Sequence, residues 1–418
     1  MNEDKKKLLA IESIQKKLLG KKLSYREIYA VMDEISHEKL SDVLTTYFVA
    51  SSFKEGYSPQ ELYFFTKAMV ETGNKLKFNG IVADKHSVGG IAGTRTTMII
   101  VPIIAAAGFK IPKISSRAIT TPAGTADVME SVAGVEFTPA QIEKQVEKIG
   151  GCIAWNGKLG IAPADDIIIR VEEPLAFESF DKIIISVMAK KIAAGTTHLV
   201  LDIPVGKTAK IHRFSEGEEV AKKFESLARH FGIKVTCDIN ETLEPAGRGI
   251  GPILEARDVL YVLEQKTDRP LRLEAKSLRL AGKLLDLCYK EKKISKHGED
   301  EAKKILESGT ALKKFQEIVK AQGGNANITS DSLELAKNKF DVCSSVSGKI
   351  KDINNHNLHT IAKILGAPND KKAGIYLLKK LDHSVLKNEA IFTLYSEDKY
   401  RLKEAQATLK NLPIFKIE

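Results

Sequence analysis

The stretch Asp84-Lys85-His86-Ser87-Val88-Gly89-Gly90-Ile91-Ala92-Gly93-Thr94-Arg95-Thr96-Thr97 sets an ammonium, hydroxyls and three glycines just ahead of the apolar run Met98 to Ala107. Glycines let backbone N–H groups come close to an anion, Lys85 adds a point charge, and Ser87 and Thr97 add hydroxyls. A helix starting at the apolar run turns its free N–H groups toward the same place. These are the parts of a phosphate cradle, although a glycine-rich loop can also do no more than turn the chain. The spacing fits neither G-x-x-x-x-G-K-[ST] nor G-x-G-x-x-G, so nucleotide hydrolysis and dinucleotide binding find little support.

A second stretch, Ser115-Ser116-Arg117-Ala118-Ile119-Thr120-Thr121-Pro122-Ala123-Gly124-Thr125-Ala126-Asp127, carries five hydroxyls and an arginine within eleven residues. It too reads as a connection from strand to helix, which brings its polar groups to the carboxyl end of a sheet, where α/β proteins bind ligands. The competing reading makes some hydroxyls N-caps and pairs Arg117 with Asp127 or Asp84 as an internal brace. A third stretch, Pro163-Ala164-Asp165-Asp166-Ile167-Ile168-Ile169-Arg170, precedes a helix with Ser186 and Lys190. Residues four apart share a helical face, so these two can present a hydroxyl and an ammonium to one planar ligand.

The elements that must hold these residues follow from periodicity and stop signals. Residues 1–75 read as consecutive helices, with capping boxes at Ser24-Tyr25-Arg26-Glu27 and Ser58-Pro59-Gln60-Glu61. Thr138-Pro139-Ala140-Gln141 opens another helix that should stop at Gly150-Gly151. Gly80 to Ala83, Lys110 to Ile114, Thr197 to Ile203 and Ile233 to Cys237 read as strands alternating with helices, the pattern of an α/β sheet. Helices dominate again from Ile253 to Lys320, and Gln322 to Asn327 is a polar break. From about Asp341 short β-like runs, including a hairpin-like stretch from Leu386 to Leu394, suggest a small separate α+β domain. The expected fold class is therefore α/β: a small all-α domain (1–75, joined by about 155–195), a larger α/β sheet domain (76–154 and 196–335) and a C-terminal α+β domain (341–418).

Composition narrows the function. At 418 residues the chain has room for two or three domains. No apolar run reaches the roughly 20 residues that span a bilayer, and the start carries no export signal, so a cytoplasmic protein that does not enter membranes is expected. Four cysteines lie far apart, without metal-ligand spacing. The formal net charge of +10 is spread through mixed-sign helices, and aromatics make up only 6% of residues. That distribution points to small phosphate-bearing molecules and away from nucleic acid.

Taken in order, D-K-H-S-x-G-G, S-x-R-x-x-x-x-x-x-G-T-x-D and an arginine followed by S-x-x-x-K resemble the thymidine and pyrimidine nucleoside phosphorylases. The likeness extends over the whole chain. Ser115 to Asp127, with its S-S-R-A-I-T-x-P-A-G-T-A-D pattern, and Asp165 to Glu172 look closer to the AMP phosphorylases and related thymidine phosphorylases. The resemblance implies phosphorolysis of the N-glycosidic bond of a nucleoside 5′-monophosphate, or, as the alternative, of a pyrimidine nucleoside. It implies phosphate held by Lys85, Ser87, Thr97, Ser115 and Thr125, and the base met by Arg170, Ser186 and Lys190. Gly90, Ser116, Arg117, Ala118, Ile119, Thr120, Thr121, Thr125, Ser186 and Lys210 match nucleotide-binding positions. A solvated surface lysine is the other reading of Lys210. His86 would face the base or sugar or make a structural hydrogen bond. Glu178 stands where the subgroup has an aspartate as proton donor. Inorganic phosphate is then a co-substrate, with no metal or organic cofactor. The subgroup usually has a further amino-terminal domain that drives large assemblies; this chain starts after it, which implies a homodimer. Substrate and phosphate would bind to different domains, so hinge closure is expected. Anthranilate phosphoribosyltransferases share such an architecture, but their G-T-G-G-D-G run is missing here, and a binding protein without activity is the non-enzymatic alternative.

Overall fold

The computed structural model describes residues 3–51, 56–118, 121–172 and 179–418. Side-chain caps fix the starts of two of the amino-terminal helices, α1 (Glu3–Leu18), α2 (Tyr25–Ser36), α3 (Asp42–Ser51) and α4 (Pro59–Glu71). Ser24 and Ser58 each accept the N–H three residues on, while Glu27 and Glu61 reach back, so both expected capping boxes form, at α2 and α4. Ile14, Ile28, Val31, Ile35, Phe48 and Phe65 make the core of this bundle.

The central sheet is built from β1 (Ala83–Ser87), β2 (Ile111–Ser115), β3 (Gly151–Trp155), β4 (His198–Val205) and β5 (Lys234–Glu241). All pairings are parallel: β2 with β3, β1 with β4, β4 with β5, and a parallel bridge between Val82 and Lys110 joins the two halves. The order is therefore β3-β2-β1-β4-β5. The chain runs outward from β1 on one side and returns to build on the other, which opens a crevice at the carboxyl ends of β1 and β4. Between these strands lie α5 (Thr97–Ala106), α6 (Thr125–Glu130), α7 (Pro139–Ile149), α8 (Pro163–Glu172), α9 (Phe180–Ala193) and α10 (Phe214–His230). α8 packs on α2 and α3, and α9 on α4, so residues far along the chain complete the helical layer.

Alternation along the strands sorts side chains between the two faces. Leu199, Leu201 and Ile203 join α9 and α10 in one core, and Val200 joins the other with α5 and the helices α11 (Pro252–Leu263), α12 (Leu271–Lys292), α13 (Gly298–Glu307) and α14 (Thr310–Ala321). The sequence reading ended the first strand at Ala83, whereas β1 begins there. The reason is burial: Asp84 and Lys85 have polar partners inside the protein and do not need a loop in water.

β3 was not foreseen. Gly150, at φ 87°, caps α7 as expected, and the chain enters Gly151–Trp155 at once. The outward-facing edge of β3 is occupied: the Gln322 side-chain amide accepts from Ile153 N at 2.9 Å and donates to Ile153 O at 2.9 Å, and Trp155 N donates to Val135 O at 2.8 Å.

The C-terminal part holds β6 (Gly249–Ile250), β7 (Asn338–Cys343), β8 (Gly348–Ile353), α15 (Asn355–Leu365), β9 (Gly374–Leu377), β10 (Ser384–Val385), β11 (Ala390–Ser396), α16 (Lys399–Thr408) and β12 (Phe415–Ile417). Its larger sheet has the order β6-β9-β11-β7 and its smaller one β10-β8-β12. β6 comes from before α11, so this part is tied to the central unit by a shared sheet and is less separate than the sequence suggested. The expected hairpin is also different. A turn does form at Leu386–Glu389, but the strands on either side of it enter different sheets. Among the described residues, no helix is long and apolar enough to cross a membrane.

Candidate active site

A cavity of about 270 Å³ opens at the crevice between β1 and β4. The carboxyl end of β1 supplies Lys85, His86 and Ser87, the end of β2 supplies Ser115, and the loops that follow supply Gly89, Gly90, Thr97, Ser116, Thr121 and Thr125. From the opposite side α9 supplies Ser186 and Lys190. An added Cβ on Gly90 would lie 3.6 Å from Thr121 Cγ2, so the two polar loops meet.

Charge is the main feature of the floor. Lys85, Lys113, Lys191 and Lys276 are all buried, and they contact only two carboxylates there, Asp84 and Asp202, among the described residues. Lys191 Nζ donates to Asp84 Oδ2 at 2.6 Å and Lys113 Nζ to Asp84 Oδ1 at 3.3 Å. Lys85 Nζ donates to Thr96 Oγ1 at 3.0 Å and to Ser87 Oγ, and stands 3.7 Å from Asp202 Oδ2. Lys276 Nζ is 3.0 Å from Asp202 Oδ1, and Ser87 Oγ donates to Asp202 Oδ2 at 2.7 Å.

Burial lowers the Lys85 pKa to about 8 despite Asp202, with Lys276 and Arg95 adding to the drop. Burial and the neighbouring Lys113 also bring Lys191 down, against the pull of Asp84. Burial raises Asp202, but Lys85 and Lys276 outweigh it and hold the group at about 2. His86 is pushed well below its ordinary value by burial and by Lys191, Lys113 and Lys85, so it faces the cavity as a neutral ring. A surplus of buried positive charge of this kind is stabilised by an anion.

The backbone adds to the cradle. α5 starts at Thr97 without a side-chain cap, leaving first-turn N–H groups for a ligand. Arg95 bridges the two loops: it donates to Thr125 Oγ1 at 2.9 Å, to Ala123 O at 2.8 Å and to the buried Glu255 at 2.9 Å. Asp127 folds the second loop, accepting from Ala118 N at 2.6 Å and Gly124 N at 2.8 Å, and Lys371 of the C-terminal part pairs with it. Another lysine of that part, Lys380, donates to Gly247 O at 2.8 Å, and Gly247 N donates in turn to Gly93 O at 2.7 Å. Asn355 Nδ2 donates to Thr208 Oγ1 at 2.7 Å in the turn before Lys210, whose stem packs over Gly89.

On α9, Ser186 Oγ donates to Asp165 Oδ2 at 2.8 Å, and Lys190 Nζ lies 2.6 Å from the same atom and 3.8 Å from Asp166. Burial alone would lower Lys190, but these two carboxylates outweigh it and raise its pKa. Asn156, in the turn after β3, lines the cavity and donates to Asp166 Oδ1 at 3.1 Å.

The residues singled out from the sequence are therefore largely brought together. Lys85, His86, Ser87, Gly90, Thr97, Ser115, Ser116, Arg117, Thr121, Thr125, Ser186, Lys190 and Lys210 all border the cavity. Arg170 does not. It is mostly exposed on the last turn of α8 and pairs with Asp42 at 2.9 Å and Glu38 at 3.8 Å. Arg117 braces the loop differently from either proposed pairing: it bonds Glu130 and Glu136 and lies over the Trp155 ring. Ala118 acts through its N–H to Asp127. Ile119, Thr120 and Glu178 lie outside the described residues. Arg95, Lys113, Asn156, Lys191, Asp202 and Lys276 were missed. A charge inside the apolar runs Ile111–Ser115 and Leu199–Ile203 was a usable signal for Lys113 and Asp202, whereas nothing local marks Lys276.

Residues 79–312 match the family described as "Glycosyl transferase family, a/b domain", residues 11–73 the "Glycosyl transferase family, helical bundle domain", and residues 349–414 the "Pyrimidine nucleoside phosphorylase C-terminal domain". "AMP phosphorylase 1" of Archaeoglobus fulgidus is 42% identical over 95% of this chain and 78% of its own length. "AMP phosphorylase" of Methanocaldococcus jannaschii is 42% identical over 97% of this chain and 80% of its own. A Legionella pneumophila (strain Corby) protein named "Putative thymidine phosphorylase" is 41% identical, covering 97% and 77%. In fold, the chain is similar to anthranilate phosphoribosyltransferase from Thermus thermophilus, with a TM-score of 0.62, 19% identity and coverage of 75% of this chain and 99% of that one.

Proposed function

Because the chain belongs to the glycosyl transferase family whose α/β domain spans residues 79–312, we propose that it is a pentosyltransferase that cleaves nucleoside 5′-monophosphates with inorganic phosphate. AMP, and also CMP and UMP, would give free base and ribose 1,5-bisphosphate. The observation that carries this reading is the cationic floor, where four buried lysines meet two carboxylates beneath two hydroxyl-lined loops. The names of the archaeal relatives supply the nucleotide.

In this reading phosphate rests against Lys85, Ser87, Thr97, Ser115 and Thr125, in line with C1′ of the sugar, and positional restraint lowers the barrier. Ser87 gives its proton to Asp202, so Lys85, the hydroxyls of Thr97, Ser115 and Thr125 and the uncapped N–H groups of α5 are the donors left for the dianion. The phosphate dianion then stabilises the positive charge that develops as the sugar becomes oxocarbenium-like, and Lys190 stabilises the negative charge that passes to the departing base. Ser186 and Lys190 receive the departing base, Lys210 and the second loop hold the 5′-phosphate, and Glu178 is the proton donor proposed from its place in the sequence. Lysines supply the charge that a metal would otherwise bring, so no metal or organic cofactor is invoked. A thymidine or pyrimidine nucleoside phosphorylase is the second reading, favoured by the name of the Legionella relative.

The test is release of free base from AMP, CMP, UMP, adenosine, uridine and thymidine, each with phosphate, with arsenate and without either. Phosphate-dependent release from the monophosphates is expected, and EDTA should leave the rate unchanged. Release from the nucleosides alone selects the second reading, and a requirement for diphosphate defeats both. A cytoplasmic homodimer remains part of the proposal. Exposed Leu8, Leu18, Val43 and Tyr47 on the mutually packed α1 and α3 support self-association, and light scattering would detect it.

A further inference from the structure

The α9 wall of the cavity has a second row of polar groups that fixes which way the first row can bond. Asn156 begins the short turn after β3, is 5% exposed, and lines the cavity. Its Nδ2 donates to Asp166 Oδ1 at 3.1 Å. An ionised carboxylate only accepts, so one amide N–H is spent on Asp166 and the nitrogen is turned toward it; the carbonyl oxygen has no hydrogen-bond partner among the described residues and is the acceptor that Asn156 offers a ligand. Ser186 gives its hydroxyl proton to Asp165 at 2.8 Å, so it too offers the cavity an oxygen lone pair. Lys190, 2.6 Å from Asp165, keeps further N–H donors for ring nitrogens. Ile169, Ile183 and Val187 supply apolar surface beside these groups. The wall therefore presents two acceptors, one cation and a flank suited to a flat ring.

We propose that Asn156, held in one orientation by Asp166, selects bases with an exocyclic amino group, adenine or cytosine, over bases with a carbonyl in its place, hypoxanthine or uracil. The proposal rests on the nucleotide phosphorolysis argued above. An amino group donates to Asn156 Oδ1, while a carbonyl there sets two acceptors against one another in a site shielded from water. A buried acceptor left without a donor is costly, and sites built on such contacts reject the mismatched analogue strongly. Asp166 acts through Asn156 and is a positioning residue.

Initial rates with AMP against IMP, and CMP against UMP, at saturating phosphate test this in the wild-type protein and in Asp166→Asn and Asn156→Ala. Wild type should favour AMP over IMP in kcat/KM by about tenfold or more, and CMP over UMP in the same direction. An amide in place of the Asp166 carboxylate can donate as well as accept, so in Asp166→Asn the Asn156 amide can turn over, and both ratios should move toward the carbonyl bases by about tenfold. Asn156→Ala removes the reading group, so its ratios should fall toward unity, and it keeps the test alive if Asp166→Asn does not fold. Loss of rate common to both substrates, such as a disturbance of Lys190, cancels in a ratio. Equal kcat/KM for AMP and IMP in wild type, or ratios unchanged in a folded Asn156→Ala, overturns the proposal and leaves phosphorolysis standing. No base release from any nucleotide overturns phosphorolysis itself, and the proposal with it.

Discussion

At Lys85, burial and the attraction of Asp202 oppose one another, and burial wins: the pKa falls to about 8 from an ordinary 10.5. In the ligand-free protein this group's charge is thus lost as pH rises through 8, well before it is lost in the unfolded chain. Between about 8 and 10.5 the unfolded state holds the extra proton, so this group makes the ligand-free fold more stable as pH rises across that window. Phosphate binding has the opposite preference, because it needs the ammonium. The expected outcome is that kcat/KM for phosphate falls above about pH 8, and that binding takes up protons there, as calorimetry in buffers of different ionisation enthalpy would reveal. A flat profile to about pH 9.5 would remove Lys85 from the phosphate site. Lys85, Ser87 and Thr125 were legible because each stands in a loop-like run dense in glycine and hydroxyls. Arg170 was not, since its spacing from α9 says nothing about how far α8 turns it toward Asp42.

The loops are held by contacts that leave little room for change. A Cβ on Gly124 would lie 2.5 Å from the Arg117 carbonyl carbon and 2.6 Å from Ser116 O, both backbone atoms that cannot step aside. Gly124→Ala should cost about 1–3 kcal/mol, as overpacking does, and raise the KM for phosphate about tenfold or more; thermal melts and initial rates check the two parts. Support also arrives from the C-terminal part, where the buried Lys380 bonds Gly247 O and faces Glu244. Lys380→Met leaves Glu244 with one cation fewer and should destabilise the fold by about 3 kcal/mol, measured by denaturant unfolding. Element starts were readable wherever a side chain supplies the cap, as at Ser24, Ser58 and Thr138. β3 and β6 were not read because β3 follows the helix stop at Gly150 directly, with no turn to mark its start, and β6 has two residues; pairing partners far along the chain define them.

Across the whole molecule, the formal net charge of +10 and the lysine-lined cleft create a field that draws in anions. For a dianionic nucleotide, kcat/KM should fall several-fold as ionic strength rises from about 20 to about 200 mM, with kcat little changed, because screening weakens steering more than contacts inside the cavity. An unchanged kcat/KM would mean that the cleft's charge acts only after binding. The three-part architecture was legible from the alternation of helical and strand patterns. The ties between the parts were not, since Asn355, Lys371 and Lys380 look like ordinary surface residues until the chain folds. A contact within the central unit guards the protein against itself. Gln322 imitates a passing peptide group at the rim of β3, filling the berth where an extended segment from another molecule could dock and start ribbon growth. Gln322→Leu would vacate that berth, and concentrated solutions of the variant should turn cloudy and bind amyloid dyes while the parent protein stays clear.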